Sequence, residues 1–163
     1  MAGVQTGKTL RAGKALCLVL VVATLAACAA KPDPSLALEN LSAEQIYKRG
    51  EVILEGKGKP QAALVYFQEV ERLYPYSEWA KRALIMQAYS LHQAKQYEEA
   101  RAAAQRFLDF YPGDEDAAYA SYLLALSYYD QIDEVGRDQG LTYQALQALR
   151  VVIEEYPDSE YAN

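Results

Sequence analysis

The residues equipped for chemistry are few: two cysteines, Cys17 and Cys28, one histidine, His92, and short runs of carboxylates. A thiol can attack, ligate a metal or be acylated, according to what surrounds it. Cys17 lies inside an uncharged stretch, Ala15 to Ala30, that follows the basic residues Lys8, Arg11 and Lys14; Cys28 stands near its end, behind Leu25-Ala26-Ala27. Nucleophilic catalysis needs a base beside the nucleophile, and a single histidine with no Gly-rich phosphate loop and no metal-ligand spacing offers neither pair nor cluster. The carboxylates Asp114, Glu115 and Asp116 read as a helix start interacting with the macrodipole, and Glu98-Glu99 and Glu154-Glu155 as solvated faces. The reading is therefore of a chain that is not an enzyme, with no cofactor, no catalytic residue and no metal site.

The basic start, the apolar run and the small residues before Cys28 form the layout of a secretory signal. The run is shorter than the roughly 20 residues of a membrane-spanning helix and has no basic stop-transfer flank. Leu25-Ala26-Ala27-Cys28 resembles the lipobox of bacterial lipoproteins, in which the cysteine thiol receives diacylglycerol. This implies a signal peptide over 1–27 and lipidation at Cys28, with Cys17 lost on cleavage. Ala29 follows the cysteine where an aspartate would signal inner-membrane retention, so the expected destination is the outer membrane, lipid-anchored on the periplasmic face. Cleavage leaves 136 residues and 13 basic against 22 acidic side chains, a net charge of −9 in place of −6. Such a balance disfavours nucleic acid. Pro32 and Pro34, without helical period, make 28–40 an extended tether.

From Leu41 onward the sequence repeats. Tyr74-Pro75-Tyr76-Ser77-Glu78-Trp79-Ala80, Tyr111-Pro112-Gly113-Asp114-Glu115-Asp116-Ala117 and Tyr156-Pro157-Asp158-Ser159-Glu160-Tyr161-Ala162 share the form Tyr-Pro-x-[Ser/Asp]-Glu-x-Ala. Proline stops one helix, Ser or Asp caps the next, and Glu favours its positive start. Ala63, Ala100 and Ala145 each stand twelve residues before the proline, followed by apolar residues at helical spacing; Ala88 and Ala125 hold the matching small position of the preceding helix. This is the pattern of a tetratricopeptide hairpin, where alanine lets two helices approach closely. The prolines are 37 and 45 residues apart, against a consensus period of about 34, and the longer spacing contains a Gly-rich charged insertion from Asp130 to Gly140.

The expected helices run Ser42 to Glu55, with a Ser42–Gln45 capping box, Pro60 to Tyr74, Ser77 to Ala94, Tyr97 to Phe110, Asp114 to Ile132 and Leu141 to Glu155. The fold class is all-α: three tetratricopeptide-like hairpins (about 42–75, 77–112 and 114–157) stacked in a right-handed solenoid. Pro157 to Asn163 supplies a capped start for a further helix, which reads as a truncated chain.

Tyrosine is abundant, with fourteen copies. Aligning on Ala88 and Ala125 places Ile85, Tyr89, His92, Tyr119, Tyr122 and Tyr129 on the groove face of the first helices, and Tyr47 joins them if Gly50 holds the small position of the first hairpin. Rings bearing a hydroxyl give large contact area at low entropic cost and a partner for peptide backbone, so these seven residues are the expected peptide-binding groove.

Lipobox, Pro-containing tether, Tyr-Pro-x-Ser junctions and the insertion before Tyr143-Gln144-Ala145-Leu146 together closely resemble the BamD family, the tetratricopeptide lipoproteins of the outer-membrane β-barrel assembly machine. The resemblance covers the signal and about three of the family's five repeats. It implies a subunit that contacts the central β-barrel assembly subunit BamA and accessory lipoproteins of the Bam complex, and that binds unfolded outer-membrane proteins for folding and insertion. The alternative is a tetratricopeptide scaffold of another envelope system, pilotin-like or cell-wall coordinating; pilotins tend to keep stricter 34-residue repeats, and the coordinator usually lacks a lipobox.

Overall fold

The computed structural model describes residues 38–56, 59–132 and 139–162. The expected signal peptide, Cys28 and most of the expected tether lie outside them, as do residues 133–138 of the expected insertion. Six α-helices occur in the described residues, with no strand among them: α1 (Ala43–Glu55), α2 (Pro60–Leu73), α3 (Glu78–Gln93), α4 (Tyr97–Phe110), α5 (Ala117–Tyr129) and α6 (Gln139–Glu155), followed by a 3₁₀ turn, Glu160–Ala162. Each helix packs on the next. The first helices of the hairpins also pack on one another, α1 on α3 and α3 on α5, whereas α2, α4 and α6 do not. These are tetratricopeptide-like hairpins stacked with α1, α3 and α5 along the inner side.

All three junction heptads make the same backbone turn, but the expected side-chain cap is made at Ser77, whereas α5 has Asp116 at its N-cap with no side-chain hydrogen bond there. Ser77, Asp114 and Ser159 each donate a backbone N–H to the carbonyl of Tyr74, Tyr111 and Tyr156, and Ala80, Ala117 and Ala162 donate in turn to Ser77, Asp114 and Ser159. Ser77 Oγ accepts from Ala80 N–H at 3.1 Å, and Ser42 and Gln45 complete the capping box of α1. The tyrosine before each proline folds back into the core; the Tyr74 hydroxyl donates to the Leu41 carbonyl.

Boundaries differ where side chains hold non-helical turns. Helix α5 begins at Ala117 rather than Asp114, because Asp114 Oδ1 accepts from Asp116 N–H at 3.1 Å and Oδ2 is held by Lys81. Leu38, within the expected tether, is buried among Ile46, Tyr47 and Phe67. At the other end the third junction starts a single 3₁₀ turn in the described residues.

The alanines do what close approach requires. Ala63, Ala88, Ala100, Ala125 and Ala145 are all buried. In the first hairpin Gly50 takes this place, and a Cβ there would lie 2.8 Å from the Phe67 ring, so only glycine lets α1 and α2 meet around that phenylalanine. Phe67, Val70, Phe107 and Val152 are fully buried on the second helices, each contributing about 1.5–3 kcal/mol by removal from water. Helix α5 carries no charged residue; packed against α3, α4 and α6, it has little face left for solvent.

A polar lock fills the outer cleft between α2 and α4. Gln87, buried on α3, donates to Glu71 of α2 at 2.8 Å, and Arg106 of α4 reaches the same carboxylate at 3.1 Å. A buried amide must find partners or cost stability, and here one carboxylate serves both amide and guanidinium.

Candidate functional site

The inner face is built on Trp79, the second residue of α3. Its ring lies 5.1 Å from that of Tyr47, with Lys48 Nζ at 5.8 Å and the Arg82 guanidinium at 5.3 Å from its centroid. Two cations therefore share one indole, each within cation–π range. Lys48 is also paired with Glu51 at 2.7 Å. Farther along, Tyr161 stacks on Tyr122 (5.2 Å between centroids, 26° between planes) and tilts against Tyr119 at 5.3 Å. Glu51, Leu54 and Glu55 of α1 and Met86 and Tyr89 of α3 line a depression of about 340 Å³.

Electrostatics follow burial. The Tyr119 phenol is pushed up to about 12 by burial first and then by neighbouring Tyr89, Tyr161 and Tyr122. Tyr47 is likewise raised to about 12 by burial and by the nearby Glu51 carboxylate. Asp116 is raised by burial and by the adjacent charges of Asp114 and Glu115, with Lys81 and Arg82 opposing. At neutral pH the face thus presents neutral hydroxyls beside the fixed cations Lys48 and Arg82.

The expected groove residues divide. Tyr89, Tyr119 and Tyr122 are half-buried and Tyr129 is exposed. Tyr47 is 6% exposed and Ile85 5%, which corrects their placement on an open groove: Tyr47 packs its ring edge-on to Phe67 at 5.3 Å, and Ile85 joins Leu84, Phe107 and Ala117 in the core. His92 is withdrawn as well, its side chain 11% exposed, with Nε2 3.0 Å from Asp130 Oδ2 and its ring against Tyr97. Counting from Ala88 and Ala125 found the right helices but not the right ends. Trp79 and Arg82, two turns and one turn before Met86 on α3, were missed, although Arg82 stands seven residues before Tyr89 and so on the same face. Tyr161 was missed because it reaches the face from within the third junction heptad, after Pro157.

No helix among the described residues is long and apolar enough to cross a membrane, and no group of three or more His, Cys, Asp or Glu among them is placed to hold a metal. The site has surface, rings and charge, which is the equipment for binding.

The family model of the YfiO outer membrane lipoproteins matches residues 39–163. The chain belongs to that family. Among curated YfiO-like proteins it is similar to the outer membrane protein assembly factor BamD of Caulobacter vibrioides, 46% identical over 145 residues, covering 88% of this chain and 47% of the relative. It is also similar to the protein of the same name from Rickettsia prowazekii, 34% identical over 145 residues, covering 89% of this chain and 57% of that one. The chain spans about half the length of these YfiO-family relatives.

Proposed function

We propose that the chain serves in the assembly of outer-membrane proteins, as the names of its relatives say of them, by binding polypeptide rather than by catalysis. In this reading a lipid on Cys28 holds it to the periplasmic side of the outer membrane, where it meets BamA and the accessory lipoproteins of the same machine. The inner face binds an unfolded outer-membrane protein as an extended segment. The observation that carries this is the inner row itself: Trp79 between Lys48 and Arg82, then Tyr89, Tyr119, Tyr122 and Tyr161. Amphipathic rings suit alternating apolar side chains and exposed peptide groups, and the two cations suit a carboxylate at one end of the segment.

Trp79 is the single tryptophan and reports directly on the test. A ten-residue peptide alternating apolar and polar residues and ending in phenylalanine with a free carboxylate is expected to change its fluorescence saturably. The amidated peptide should bind more weakly, and Lys48→Glu with Arg82→Glu should remove the difference. Equal binding of a scrambled peptide of the same composition would sink the reading. Membrane attachment is tested separately by Cys28→Ser, which should release the protein from membrane fractions.

A further inference from the structure

The two outer clefts of the stack occupy equivalent places and differ in what fills them. Glu71 and Leu108 each stand four residues before a junction proline, Arg106 and Val151 six before, and Gln87 and Leu124 twelve after. The first cleft, between α2 and α4, is closed by the Glu71–Gln87–Arg106 lock. In the second cleft, between α4 and α6, all three positions are apolar, and a cavity of about 280 Å³ opens among them. Val151 is much shorter than the arginine it replaces and is left 39% exposed.

The rim has changed sign too. Asp109, at the position of Arg72, and Glu155, at the position of Phe110, both line this cavity. Asp109 accepts only from the neutral Gln105 amide, at 2.9 Å, and neither carboxylate is in an ion pair among the described residues. Ser121, 4% exposed on the cavity wall, has a hydroxyl with no hydrogen-bond partner among the described residues. Apolar walls below two uncompensated carboxylates match a side chain with an aliphatic body and a cationic neighbour.

We infer that the outer cleft between α4 and α6 is a docking site for a partner polypeptide that inserts an apolar side chain flanked by lysine or arginine, supplying from outside what Arg106 supplies internally in the first cleft. The site lies on the second helices, away from the inner face, so a chain seated on the inner row leaves it open. It is a surface for a basic partner, distinct from the surface for substrate.

The test is a titration of the protein, methyl-labelled at leucine and valine, with two probes: acetyl-Gly-Arg-Leu-Arg-Gly-amide and acetyl-Gly-Glu-Leu-Glu-Gly-amide. The basic peptide is expected to shift the Leu108, Leu124 and Val151 methyls saturably while the acidic one leaves them unmoved. Val151→Arg, which restores the first cleft's residue at an exposed helical position, should weaken the basic peptide by about tenfold or more. Asp109→Lys with Glu155→Lys should make the acidic peptide the better ligand. Equal response to both peptides, no response to either, or shifts confined to the inner face would each overturn the assignment. Because the inner-face reading is followed at Trp79, either can fail without the other.

Discussion

Lys81 Nζ and Asp114 Oδ2 lie 2.8 Å apart across 33 residues of sequence. The pair ties the first turn of α3 to the turn that opens the third hairpin, so the second junction heptad is fastened to the helix that follows the first. Lys81 is raised above its usual value by its hydrogen bonds to Asp114 and Glu78, and Asp114 is lowered by the bond to Lys81.

Acid should therefore loosen the stack at this point. The folded Asp114 carboxyl titrates below its ordinary 3.8, so its contribution is whole above that pH and drains away as pH falls through the lower folded value. Lys81, with its folded value raised above 10.5, contributes fully below that pH and loses its part only as pH rises through the folded value. Asp114→Asn should cost about 1 kcal/mol at neutral pH and flatten the acid limb of a urea-midpoint profile below about pH 4. An unchanged limb would show that the pair does not carry it.

Gly50 is a packing requirement. Alanine gains about 1 kcal/mol of helix propensity over glycine, but its Cβ meets Phe67 at 2.8 Å, and overpacking costs about 1–3 kcal/mol. Gly50→Ala is expected to lower the urea midpoint despite the better helix former. Pairing it with Phe67→Leu should recover part of the loss, a coupling that a double-mutant cycle measures.

Lys95 ends α3 at φ 60°, in the left-handed region, while Gln96 N–H bonds to the Leu91 carbonyl at 2.9 Å and Lys95 N–H to that of His92 at 2.9 Å. This is a Schellman ending with lysine where glycine is free of strain. Lys95→Gly should stabilise the protein by about 1 kcal/mol, seen as a melting temperature higher by a few degrees. A lower one would mean that the lysine stem contributes packing worth more than the strain.

How much of this was legible follows from what each feature depends on. Tyr-Pro-x-[Ser/Asp]-Glu-x-Ala acts within one heptad, so the turn at each junction, the Ser77 cap and the buried alanines could be read directly, whereas the start of α5 was displaced by the Lys81–Asp114 pair. The side of a ring could not. Tyr47 and Tyr122 occupy similar register on first helices, yet one is buried against Phe67 and Trp79 and the other is half-buried and stacks on Tyr161; periodicity gives a face, not what a neighbouring hairpin sets against it. The Glu71–Gln87–Arg106 lock and the cavity at its counterpart depend on three helices at once, and nothing local marks them.

Tyr161 is the case where tertiary contact gives a junction residue a second task. Its ring covers Tyr122 and Tyr119 from beyond Pro157, and aromatic pairs of this geometry are worth about 0.5–1.5 kcal/mol beyond area. Tyr161→Ala should destabilise by about that amount and bring the Tyr119 phenol down from about 12, because part of its burial and one neighbouring phenol are removed. In the parent protein the stability tied to Tyr119 is whole below pH 10 and lost as pH rises towards 12; in the variant the loss should still begin near 10 but be smaller and complete at a lower pH. Tyr161→Phe keeps the stack and should leave the stability at neutral pH in place. A Tyr119 titration followed by NMR of the ring carbon bearing the hydroxyl distinguishes these outcomes: if it is the same in the parent and in Tyr161→Ala, Tyr119 is shielded by α3 alone, and Tyr161 contributes surface to the inner face without shaping the groups beneath it.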